Sequence, residues 1–222
     1  MKTYLPELAV SELMHAMASH DWSSIEIKLG NQHYERLGLD RALAIASDLI
    51  ARNQSLQGLK VLDVGCNNGL VAKTLTTLGC YVVGIDNCDV DGQGLYSELH
   101  SDSQSAGFEY HKKDLAEFLY EDKRYWDCIL LLSVAHHWET GYAMSGDRRY
   151  TDEEISCLLA LLFRRTRMSI YYECPSNEPG FTAGFGVDFL FRHCSELPKV
   201  RGLGRTIGPN GYLRELWALD ME

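Results

Sequence analysis

With 222 residues the chain has room for one α/β domain with a full core and a small appendage, and not for two equal domains. Acids outnumber bases 31 to 21, and the formal charge of -10 argues against a broad electrostatic grip on duplex nucleic acid while leaving a small or locally anionic acceptor open. The seven cysteines show no C-x-x-C spacing, which disfavours zinc and disulfide frameworks and reads as reduced thiols of a cytoplasmic protein; no apolar run is long enough to span a membrane, and MKTYLPELAV lacks the apolar region of a signal peptide.

Residues 1–39 read as an N-terminal helical lid or appendage. Pro6 to His20 has helical spacing, with Leu8, Leu13 and Met17 on one side. A polar and aromatic segment, Asn31 to Arg36, follows and contains Tyr34, either a closing residue or a half-buried aromatic of a surface turn. The domain proper, 40–222, opens with a helix over Asp40 to Arg52, whose Leu43, Ala46, Leu49 and Ile50 form a core face.

Val61 to Gly69, VLDVGCNNG, is the most informative stretch. Val61, Leu62 and Val64 form an apolar run bounded by glycines, as a strand buried on both faces of a parallel sheet requires. Gly65 and Gly69 bracket a tight turn, and Asn67 or Asn68 is expected to cap the helix that starts at Leu70. The order Asp63-x-Gly65-x-x-x-Gly69 departs from a dinucleotide fingerprint by placing an acid at the strand end, which suits a positively charged ligand better than a pyrophosphate. A second apolar run, Tyr81 to Ile85, closes on Asp86, a carboxylate placed to accept both hydroxyls of a ribose.

This arrangement resembles the class I S-adenosylmethionine-dependent methyltransferases from about Leu59 onward. By that resemblance the cofactor is S-adenosyl-L-methionine, Asp63 holds its methionine end and Asp86 its ribose, and Gly65, Cys66, Asn67, Gly69, Asn87 and Ser133 border it. Tyr34 would close over it. The next strand, Phe108 to His111, is followed by Asp114-Leu115, which resembles the family's adenine pocket; Asp114 is equally suited to cap the helix Leu115 to Tyr120.

The long apolar run Tyr125 to Ser133 marks a central strand, and His136-His137 follows it directly. The carboxyl end of such a strand borders the ligand crevice, so either histidine is a candidate catalytic residue; capping or packing is the alternative. Successive side chains leaving a strand diverge, so one of the pair is expected to face the methyl group. LSVAHHW, with LGNQHYERLGL, is also similar to phosphate methyltransferases that terminate O-antigen polysaccharides and, more distantly, to enzymes that cap RNA terminal phosphates. That resemblance implies an already anionic oxygen as acceptor, on a glycan or small molecule.

The insertion Glu139 to Tyr150 ends in Arg148-Arg149, either an anion fork for the acceptor or a solvated surface. Thr151 and Glu154 form a capping box for a helix running to Arg164, with Ile155, Leu158, Leu159 and Leu162 facing the sheet. Met168 to Glu173 is a fifth strand that brings Glu173 to the crevice as a substrate contact. After a helix over Val187 to Cys194, two segments joined by Pro209-Asn210-Gly211 read as a hairpin. The expected fold is a doubly wound, Rossmann-like seven-stranded sheet of order 3-2-1-4-5-7-6, the last strand antiparallel, with helices on both faces.

The expected function is O-methyl transfer to a small or terminal anionic acceptor, phosphate or carboxylate, or to a hydroxyl. In the first case a histidine and an arginine serve as positioning cations; in the second a histidine serves as general base. An RNA or tRNA methyltransferase and a non-catalytic cofactor-binding regulator are the competing readings. No metal is expected.

Overall fold

The structure, a computed structural model, describes residues 39–67, 69–87, 108–141, 150–175, 186–207 and 213–221. The N-terminal segment with Tyr34, Asn68, the stretch after Asn87, Arg148 and Arg149 of the insertion, and the Pro209–Gly211 turn lie outside these residues.

Seven strands form one sheet: β1 (Lys60–Val64), β2 (Tyr81–Asp86), β3 (Glu109–Lys112), β4 (Trp126–Leu132), β5 (Thr166–Pro175), β6 (Lys199–Ile207) and β7 (Leu213–Asp220). Their order is β3-β2-β1-β4-β5-β7-β6, as the sequence led us to expect. Only β7 runs against its neighbours, pairing antiparallel with both β5 and β6. The described helices are α1 (Leu39–Asn53), α2 (Leu70–Thr77), α3 (Leu115–Glu121), α4 (His136–Thr140), α5 (Asp152–Arg165) and α6 (Gly186–His193).

Alternation along the strands makes two cores. Val61, Val82, Cys128, Leu130 and Tyr171 point to one face, where Ala42, Leu43, Leu49, Val71 and Leu75 of α1 and α2 cover them. Leu62, Val64, Ile129, Leu131, Ile170 and Tyr172 point to the other, against α3, α5 and α6 through Leu119, Leu159, Leu162 and Phe189. Both faces being covered explains why the central strands read as continuous apolar runs, each fully buried aliphatic residue contributing roughly 1.5–3 kcal/mol of burial. The capping box on α5 forms as expected, Thr151 accepting from the Glu154 amide while Glu154 accepts from that of Thr151. The six described cysteines form no disulfide, and no described helix is long and apolar enough to cross a membrane.

With β1 and β4 adjacent and β2 outside β1, the carboxyl ends of β1, β2 and β4 share one edge of the sheet. The glycine turn, Asp86 and the histidine pair all leave from that edge.

Candidate active site

The turn after β1 is built by backbone. Gly65 and Cys66 both donate their amides to Ile85 O, at 2.8 and 3.0 Å, and Gly69 donates to Cys66 O at 2.8 Å. Gly65 has φ 70°, and a Cβ there would meet Val134 Cγ2 at 2.7 Å, so glycine is required both by the left-handed backbone and by the approach of the β4 loop. The asparagine cap expected for the following helix is not what forms: Gly69 itself, at φ 71°, is the N-cap of α2, with no side-chain hydrogen bond. Asn67 instead takes φ 49° and donates its amide to Asp86 Oδ2 at 2.8 Å, tying the first loop to the end of β2.

Asp63 lies beneath this turn, 2% exposed. Burial raises its carboxyl to about 7; Arg41 opposes the rise and Asp86 adds to it. Its Oδ2 is enclosed and accepts no hydrogen bond among the described residues. A buried carboxylate with an open oxygen is costly until a cation or donor meets it, so Asp63 fits the ammonium of a methionine moiety. Cys66 is also buried, and burial, then the Asp63 and Asp86 carboxylates, push its thiol well above its ordinary range. It is a packing residue of the loop and not a nucleophile. Asn87 is exposed just beyond β2.

Asp114 does the capping job. Its Oδ1 accepts from the Ala116 amide at 2.8 Å and its Oδ2 from the Tyr150 hydroxyl at 2.5 Å, so both oxygens have donors. Leu115 is buried in the second core, where its side chain is packing.

The β4 exit differs in shape from a simple strand end. Ser133 takes φ 57°, a left-handed conformation uncommon outside glycine, and the chain then turns directly into α4. His136 and His137 therefore begin a helix and do not diverge; their ring centroids are 3.9 Å apart. His136 is 1% exposed, and burial, then His137 and then Arg214, push it down to about 2. Burial of this kind disfavours its charged form. His137 is half-buried beside it.

Glu173 is turned inward. Instead of presenting a substrate contact to the crevice, it is 1% exposed, and its Oε1 accepts from Arg41 at 2.8 Å, from the Ser133 hydroxyl at 2.5 Å and from Arg214 at 3.4 Å. Arg214 also donates to Ser133 Oγ at 2.6 Å. This network fixes Ser133, and through it the start of the histidine turn. Arg41 and Arg214 escaped the sequence reading. The signal for Arg214 was present, since alternation in β7 puts it on the same side as the buried Leu216 and Ala218.

Among the described residues one further cluster has the composition of metal ligands: Glu139, Asp152 and His193, with donor atoms within 4.8 Å of one another. Glu139 is already bonded there to His193 and Arg192.

Residues 62–146 match the family described as a methyltransferase domain. That match covers less than half of the chain, and the sheet order agrees with a domain of that kind. Among curated proteins the chain is similar to a ubiquinone biosynthesis O-methyltransferase of Maricaulis maris, 28% identical over 102 residues, 46% of this chain and 39% of that protein. Among solved structures it is similar to the bifunctional kinase-methyltransferase WbdD, with a TM-score of 0.63 at 20% identity, over 93% of this chain and 45% of that one. It is also similar to the magnesium protoporphyrin IX methyltransferase ChlM of Synechocystis PCC 6803 with bound SAM, with a TM-score of 0.54 at 19% identity, over 82% of this chain and 79% of that one. At these identities the structures speak to the fold, and the aligned region spans less than half the length of the curated relatives.

Proposed function

We propose that the chain transfers a methyl group from S-adenosyl-L-methionine to an oxygen of a small or terminal anionic acceptor, a phosphate or carboxylate. The observation that carries this reading is the division of charge along the carboxyl edge of the sheet. On β1 an acid, Asp63, has an open oxygen; beyond β4 the groups are the buried His136 and two arginines gathered on one buried glutamate.

In this reading Asp63 receives the cofactor's ammonium, Asp86 its ribose, and the backbone of Gly65 to Gly69 borders its methionine end. Asn87, Ser133 and the backbone of Leu115 complete the cofactor contacts, and Asp114 reaches adenine where Tyr150 yields its oxygen. When bound, the sulfonium supplies an electrophilic methyl group, so the protein has to align an acceptor and exclude water. An oxygen that is already anionic needs no base, which agrees with a buried histidine whose charged form is disfavoured. His136 and His137 orient the acceptor by hydrogen bonding, and Arg214 behind them supplies positive potential. Arg148 and Arg149 grip the acceptor from the insertion, and residues 1–39, with Tyr34, cover the site. WbdD, described as kinase and methyltransferase in one protein, supports a phosphorylated acceptor. The relatives named for ubiquinone biosynthesis support a second reading, a hydroxyl acceptor with His137 as base.

Incubation with phosphorylated sugars, phosphorylated glycans, RNA ends and phenols, read by mass spectrometry, tests this. Cofactor-dependent gain of one methyl on a phosphate or carboxylate is expected. Methylation of phenols alone would transfer the reading to the hydroxyl class. Absence of S-adenosylhomocysteine binding by calorimetry would remove it.

A further inference from the structure

Helix α4 carries the histidine pair but has five residues, His136–Thr140, too few to hold a helical conformation or a direction by themselves. Tertiary contacts must fix it. One is apolar: Trp138 lies against Phe189 of α6 at 6.5 Å between centroids, and Phe189 stacks on Tyr172 of β5 at the same separation. A second is polar and comes from the next residue. Glu139 Oε1 is 2.7 Å from His193 Nε2 and 3.0 Å from Arg192 Nη1, and its Oε2 is 3.3 Å from Arg192 Nη2. His193 is held in turn, with a side chain only 3% exposed and its ring against Phe189 at 4.8 Å.

Two adjacent residues at the end of α6 thus converge on one carboxylate two positions after His137. The same segment closes the base of the insertion, since Tyr150 donates its amide to Trp138 O at 2.8 Å, and Asp152 brings a second carboxylate to the cluster. The contact with His193 is mostly shielded from water, with Glu139 17% exposed, and is worth more than a surface pair, whereas Arg192 is 51% exposed and adds less. A tether that fixes one end of a one-turn helix also fixes the rings at its other end.

We infer that Glu139 is a positioning residue: its bond to His193 and Arg192 sets the stance of α4 and with it the presentation of His136 and His137 to the acceptor. This rests on the proposed function only in that the pair faces the acceptor. The tether itself is readable without any acceptor.

The experiment has two arms on the full chain. In the first, imidazole resonances of His136 and His137 are recorded for wild type, Glu139→Ala, Glu139→Gln and His193→Gln, each well below its melting temperature. Both rings are expected to shift in Glu139→Ala, and Glu139→Gln, which still accepts a hydrogen bond, is expected to return most of the shift. In the second, Glu139→Ala should lower kcat about ten-fold while S-adenosylhomocysteine affinity stays within two-fold; the Glu139→Ala/His193→Ala double variant should be no worse than the single one. Unmoved His136 and His137 signals in a folded Glu139→Ala protein would overturn the inference. So would a melting-temperature rise on adding Zn²⁺ or Mn²⁺ that Glu139→Gln abolishes, because the cluster would then be a cation site. Shifted signals in a protein that methylates no acceptor would leave the tether standing and remove the proposed function.

Discussion

The two edges of the sheet both carry charge networks that draw on α1, β5 and β7, with β6 adding Arg201 at the amino edge, and they differ in burial and in completeness. At the amino edge Arg201 grips Asp48 with two nitrogens, at 2.7 and 3.0 Å, and reaches Asp220 at 3.1 Å; Arg52 bonds Asp220 at 2.7 Å and also Ser169, and Tyr171 donates to Asp48 at 2.8 Å. Two acids meet two bases there, with both arginines about one-third exposed. At the carboxyl edge Arg41, Glu173 and Arg214 take the corresponding places, but Glu173 is fully buried and one acid, Asp63, keeps an oxygen without a donor among the described residues. The amino edge closes on itself and the carboxyl edge does not. An incomplete buried network is a standing cost that a ligand can relieve, which is why such edges are candidates for function.

The largest expected loss of stability comes from breaking the carboxyl network at its centre. Glu173→Ala leaves the buried Arg214 and the part-buried Arg41 without their shared carboxylate and should cost about 3 kcal/mol in urea unfolding, as expected for one partner removed from a buried pair. It should also release Ser133 from its left-handed conformation and impair the histidine turn.

Asp63→Asn sharpens the contrast, because it trades function for stability. The folded pKa of Asp63 is raised above its unfolded value, so the native state binds the extra proton and stability falls as pH rises toward about 7. The wild type thus carries this penalty in full above that pH and none of it below about 4. Asp63→Asn should stabilise the cofactor-free protein at pH 8 by up to about 4 kcal/mol, with no gain at pH 4, while S-adenosylhomocysteine binding is lost. In the wild type, that ligand's affinity should rise with pH through about 7. Thermal melts across pH, with calorimetry, check both; an unchanged melting temperature at pH 8 would mean that Asp63 is satisfied within the protein.

What the sequence disclosed follows the range of the interactions. Gly65 and Gly69, the Thr151–Glu154 capping box and the continuous apolar runs of the central strands depend on residues a few positions apart, so the turn, the helix start and the strands could be read, while the strand order came with the family resemblance. The Arg41–Glu173 pair spans 132 residues and was invisible. An arginine at the start of a helix looks like surface until the fold turns it inward. Glu173 was placed correctly at the edge of β5, yet its direction depended on two arginines from α1 and β7. The histidine pair was located and its geometry misjudged, because the left-handed Ser133 converts a strand exit into a helix start, and a serine gives no local sign of that.

A smaller effect is expected where the amino edge is broken. Arg201→Ala removes a bidentate contact to Asp48 and another to Asp220, but water reaches these groups and Arg52 remains on Asp220. A loss of about 1 kcal/mol is expected, screened further by 1 M salt, with ligand binding unchanged. A loss as large as that of Glu173→Ala would erase the distinction between the edges.

The smallest effect concerns Asp114, the other acid near the carboxyl edge. Its two oxygens are taken, one by the α3 amide of Ala116 and the other by Tyr150, so it resembles the closed network more than the open one. Tyr150 sits where the insertion rejoins the fold, its amide on Trp138 O, and a shift of that segment would free one Asp114 oxygen without disturbing the cap. Tyr150→Phe imposes this condition permanently while keeping the ring against Trp138. Removing the hydroxyl should cost about 1 kcal/mol of stability or less. If Asp114 takes the adenine amine, Tyr150→Phe no longer has to give up a hydrogen bond on binding, and S-adenosylhomocysteine affinity should rise two- to five-fold, about 0.4–1 kcal/mol. Unchanged affinity, with the stability loss present, would assign Asp114 to the helix cap alone.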